Sequence, residues 1–113
     1  MAYVLTLLLA LAIAVLTLTP TVPGPEGLPG LDKLAHALVF GLLVLPLSIT
    51  YPARWFRTWS LALAFGGLIE TVQPFVGRSN EWADLLADGV GAACGIGLVL
   101  LYFRARRLHR RRA

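Results

Sequence analysis

The chain has 113 residues, 58% of them hydrophobic and 14% charged, with a mean hydropathy of +0.74. Soluble domains are about 45–50% apolar, and a single domain of this length has too small a core to hide such an excess, so lipid is the expected solvent for much of its surface. One cysteine, Cys94, excludes an internal disulfide and any Cys/His metal spacing, and the net charge of +4 reflects an Arg-rich C-terminus rather than an evenly basic surface.

Four apolar runs of near membrane-spanning length follow one another. The spans are about 2–18, 34–50, 58–76 and 85–103, with a basic tail at 104–113. The fold class expected is all-α: one domain over 1–113, a polytopic membrane protein built as a four-transmembrane-helix bundle. The first run has no Lys or Arg before it and no small-x-small cleavage site after it, so it reads as an uncleaved helix rather than a signal peptide. Residues 19–31 carry Pro20, Pro23, Gly24, Pro25, Gly27, Pro29 and Gly30, a composition that cannot continue a helix. Pro74 is expected to end or kink the third helix.

Orientation follows from the basic residues. The 51–57 linker and the C-terminus carry eight Arg: Arg54, Arg57, Arg104, Arg106, Arg107, Arg110, Arg111 and Arg112. The other side has Lys33 and Arg78. Excess Lys/Arg marks the cytoplasmic side, so both termini are expected there. An Arg run can bind nucleic acid, but directly after an apolar helix it is expected to meet anionic headgroups instead. No nucleic-acid partner is expected.

All six acids, Glu26, Asp32, Glu70, Glu81, Asp84 and Asp88, then fall at the extracytoplasmic end. Asp32 can cap the second helix, and His36 lies one turn further along the same face. Glu70 and Gln73 are one turn apart near the end of the third helix. A carboxylate at the depth of Glu70 must face the bundle interior, pair with a cation or be protonated. The candidate cations are Lys33 and Arg78, and such a pair could simply fix helix packing. Glu81, Asp84 and Asp88 are spaced by three and four and share a face that continues into Gly91 and Gly95. That GxxxG lets another helix approach closely, within the chain or in a second copy. Glu81 can equally be a solvated loop acid.

The ligand-binding candidates are therefore Asp32, Lys33, His36, Glu70, Gln73, Arg78, Asp84 and Asp88. Arg78 can neutralise the acids or present its planar fork to a carboxylate or phosphate. Glu70 and His36 are the catalytic candidates if acid–base chemistry occurs. A divalent metal on His36, Glu70, Asp84 or Asp88 is possible, but no tight ligand motif demands it, and no cofactor is named by any motif. A Ser-His-Asp arrangement is excluded for Ser48, twelve residues and about 18 Å from His36 along one helix.

The residues Asp32-Lys33-x-x-His36 with Phe40, then Glu70-x-x-Gln73, then Arg78, Asp84 and Asp88-Gly89-x-Gly91 resemble the VanZ-like family of small bacterial membrane proteins. The family pattern usually has Asn where this chain has Asp88. The resemblance implies the multi-pass bacterial inner membrane, the cell envelope and a link to teicoplanin resistance, without a settled mechanism. Glycopeptides and the lipid-linked precursors they bind meet at the outer face of that membrane. Three functions follow as expectations. One is recognition of a lipid-linked peptidoglycan precursor or lipoglycopeptide. A second is an enzyme modifying such a molecule through Glu/His acid–base chemistry. The third is a structural or assembly role, with Gly91/Gly95 available for a homo-oligomer.

Overall fold

The computed structural model describes residues 1–20 and 30–113. Four helices follow in chain order: α1 (Ala2–Leu18), α2 (Leu31–Thr50), α3 (Trp55–Val72) and α4 (Trp82–Arg112). No strand occurs among the described residues. The protein is an all-helical bundle. By length and composition α2, α4 and the Pro52–Val76 segment containing α3 can each cross a membrane. The fourth apolar helix, α1, has 17 residues.

Local chemistry sets the helix ends. Gly30, at φ 80°, precedes α2 and supplies the left-handed turn that only glycine adopts cheaply. The helix therefore starts at Leu31, and Gly30 rather than Asp32 is its cap; Asp32 sits in the first turn, beside the positive end of the helix dipole. Tyr51 leaves the helical region before Pro52, as a residue preceding proline prefers, and a 3₁₀ turn over Pro52–Arg54 leads into α3. Pro74 lacks the N–H needed to continue α3, so the chain tightens into a 3₁₀ turn over Gln73–Val76, closed by Gly77 at φ 76°.

The last helix runs well past residue 103. Its 31 residues span about 46 Å, most of the molecule's longest dimension of 57 Å. The basic tail is thus the end of α4 as far as Arg112. Arg and Leu propagate a helix well, and cations are favoured at its C-terminus.

The pair α2–α4 holds the bundle together. A Cβ placed on Gly91 would lie 2.0 Å from the Ala37 carbonyl oxygen, and one on Gly95 2.5 Å from that of Gly41. Both glycines therefore spend their close approach on α2 of the same chain. A contact between copies through Gly91/Gly95 would have to displace that helix. Around this seam Phe40, Val44, Ala62, Ile69, Ala92 and Ile96 form the buried core. Leu8, Leu16, Leu38, Leu68, Leu98 and Leu101 point outward, the apolar exterior a lipid-facing bundle needs.

Candidate functional site

The bundle closes at one end with the first turns of α2 and α4, the last turn of α3 and the turn that follows it. Lys33 draws three carboxylates together there. Its Nζ lies 2.8 Å from Asp32 Oδ2, 2.5 Å from Glu81 Oε2 and 2.6 Å from Asp84 Oδ1. It donates hydrogen bonds to Asp32 and Glu81, and Asp84 is held beside them as an ion pair. The group is partly exposed and water-screened, and holds α2 to the start of α4 more by geometry than by energy.

One turn deeper lies His36. Its Nδ1 is 2.8 Å from Asp88 Oδ1, and its Nε2 is 3.8 Å from Asp84 Oδ2. Asp88 is 1% exposed. Its second oxygen occupies the space above Gly66, where a Cβ would come within 2.7 Å of it. A glycine on α3 thus makes room for a carboxylate on α4. Nothing in the 3.6-residue pattern of α3 signals that use.

Glu70 is buried, and its Oε2 accepts the Glu81 backbone N–H at 2.9 Å. It pairs with neither Lys33 nor Arg78, contrary to the packing salt bridge weighed from sequence. Its other oxygen, Oε1, and Oε1 of Gln73 are buried without a hydrogen-bond partner among the described residues. Gln73 reaches α1 instead, donating from Nε2 to the Thr17 carbonyl at 3.4 Å. Arg78 also turns to α1: Nη1 donates to the Thr19 carbonyl at 3.1 Å, and no carboxylate among the described residues pairs with it. Of the two basic side chains at this end, Lys33 sits among three acids, whereas Arg78 meets a backbone carbonyl. Glu81 is half-exposed, but it is tied to Lys33 rather than freely solvated. Glu26 lies outside the described residues.

Several of these side chains line two adjoining hollows, while Glu70 lines a separate one of about 190 Å³ with Asn80, Trp82 and Leu85. A polar cavity of about 300 Å³ is lined by Asp32, His36, Gln73, Arg78, Glu81 and Asp84. Beside it an apolar groove of about 250 Å³ runs between α1 and α2 along Ile13, Leu16 and Val39, and Asp32, His36 and Arg78 line it too. Three charged or titratable residues therefore stand where a polar chamber meets a greasy one. A further hollow, of about 260 Å³, lies elsewhere between α1, α2 and α3; its lining, which includes Leu43, Leu47 and Phe65, contains no charged residue. The Thr17 and Thr19 carbonyls at the end of α1 leave no trace in the sequence, because backbone acceptors carry no residue-type signature.

Chemically, the arrangement offers a part-buried His–carboxylate pair, a guanidinium with no carboxylate partner among the described residues, acceptor oxygens without donors and an apolar channel alongside. A helical membrane bundle whose described acidic side chains gather at one end is the class of protein this defines. The VanZ/LLP1 family model matches residues 5–103, and the chain belongs to that family. No curated protein and no solved structure matches it.

Proposed function

We propose that the protein recognises a lipid-linked, phosphate-bearing molecule of the cell envelope at the extracytoplasmic face of the bacterial inner membrane. The observation that carries this reading is the shared wall of the two hollows, where Arg78 faces both the polar cavity and the apolar groove. A phosphate on the guanidinium would leave a polar headgroup in the cavity and a tail between α1 and α2. Arg presents a planar donor fork that suits phosphate. A lipoglycopeptide, with acidic head and acyl tail, offers the same division, which is where a link to teicoplanin resistance would enter.

Replacing Arg78 by Ala is expected to weaken retention of polyprenyl phosphate about tenfold or more, the worth of a charge-assisted hydrogen bond. Arg104→Ala, at the opposite end of α4, is expected to leave it unchanged. Native mass spectrometry of the purified protein reads both. Equal retention by all three proteins would sink the reading.

The outward placement of the site rests on the eight Arg at the other end. In a Cys94→Ala background, Ser79→Cys should react with an impermeant thiol reagent applied to intact cells. Labelling only after lysis would reverse the topology.

A second reading is favoured by the His36–Asp88 pair. A carboxylate on Nδ1 fixes the imidazole and leaves Nε2 to move a proton, and His36 lines both hollows. In that case the protein modifies the bound lipid. The catalytic pair is then His36 with Asp88, and Glu70 stands beside it.

A further inference from the structure

Two groups of acidic side chains occur at the polar end, and they differ in one respect. In the first, Asp32, Glu81 and Asp84 bring a carboxylate oxygen each to within 4.8 Å of one another, and Lys33 Nζ contacts all three. Its cation is built in. In the second, His36, Glu70 and Asp88 bring ligand atoms equally close, but no lysine or arginine among the described residues contacts the Glu70 or Asp88 carboxylate. Glu70 Oε1 is buried without a donor, and so is Oε1 of Gln73, which lines the cavity beside His36. Buried oxygens without donors are costly. The second group is rich in acceptors and short of positive charge.

We propose that His36, Glu70 and Asp88, whose ligand atoms lie within 4.8 Å of one another, hold a divalent cation. The proposal deepens the preceding reading and rests on it, since it concerns the same site. One imidazole nitrogen with two carboxylates suits Zn²⁺ or Mn²⁺. Bonds of about 2.1 Å place two donors on one ion about 3–4 Å apart, so the present spacing closes on an ion by side-chain adjustment alone. The ion would satisfy Glu70 Oε1 and would lie behind His36, the one member of the trio that lines the polar chamber. Lys33 in turn keeps Asp32, Glu81 and one oxygen of Asp84 from competing for the ion.

The test uses the full chain in detergent, stripped with chelator and titrated with Mn²⁺ alone, free Mn²⁺ being read by electron paramagnetic resonance. Wild type is expected to bind one ion per chain, and the ion is expected to raise the thermal midpoint. Glu70→Gln and His36→Gln should weaken binding at least about tenfold, and Glu81→Gln, on the Lys33 group, should stay within about twofold of wild type. No saturable binding by wild type, or binding unaffected by both site variants, would overturn the proposal. Should either variant not fold, the wild-type stoichiometry and thermal shift decide alone. No lipid is present, so the lipid reading fails or stands separately: Arg78→Ala should lose polyprenyl phosphate while keeping its Mn²⁺.

Discussion

Substituting Ala for Gly91 is expected to force α2 and α4 apart and to cost about 3 kcal/mol or more, the upper range of overpacking. The new Cβ would stand 2.0 Å from the Ala37 carbonyl oxygen and 2.5 Å from its Cα. Those are backbone atoms, so no rotamer change relieves the clash and the helices themselves must move. Gly97 is the matched control on the same helix, since a Cβ there meets nothing within 4 Å. Gly97→Ala should be neutral or gain up to about 1 kcal/mol from helix propensity. Thermal melts of the two variants in detergent make the comparison, and indistinguishable midpoints would contradict the packing described. The seam also sets function. Lys33 and His36 ride on α2 while Asp84 and Asp88 ride on α4, so widening it should dissolve both polar groups at once.

Asp88→Ala is expected to cost about 2–4 kcal/mol, the loss of a hydrogen bond to a carboxylate together with the void left in a packed site, whereas Asp88→Asn should lose less than half as much. Asp88 is 1% exposed and contacts His36 Nδ1 at 2.8 Å. With the proton on Nδ1, an amide oxygen accepts it as a carboxylate does, and Asn fills the space above Gly66 equally well. Alanine leaves the imidazole without its acceptor and opens a void. Melts in chelator isolate this structural term. Were Asn as damaging as Ala there, negative charge at position 88, rather than the hydrogen bond, would be the stabilising feature.

The helical bundle and its polarity are legible in the sequence because both depend on composition and period. Long apolar runs broken by Pro and Gly define the helices. The spacing of Glu81, Asp84 and Asp88 puts them on one face whatever that face meets. Pairing is a different matter. Glu70 had two plausible cations in the sequence and uses neither; its carboxylate accepts the Glu81 amide just before α4 instead. Arg78 was a candidate neutraliser of the acids and instead reaches across to α1. Such choices depend on how each helix is turned against its neighbours, which no residue pattern encodes. The start of α2 was misplaced for a local reason. Gly30 takes the left-handed conformation that ends the linker, so the helix begins before Asp32 rather than on it. The glycines are an intermediate case. GxxxG announces a close approach but does not name the partner, and here the partner is Ala37 and Gly41 on α2.

Incubation of wild type and Glu70→Gln in lipid nanodiscs with lipid-linked peptidoglycan precursor, followed by mass spectrometry, tests the central claim most directly. The account predicts that wild type retains the precursor, intact if the site only binds it, or altered, in wild type alone, if the His36–Asp88 pair acts with Glu70. Precursor neither retained nor altered would contradict the account and leave the polar cluster as a lock between the four helices.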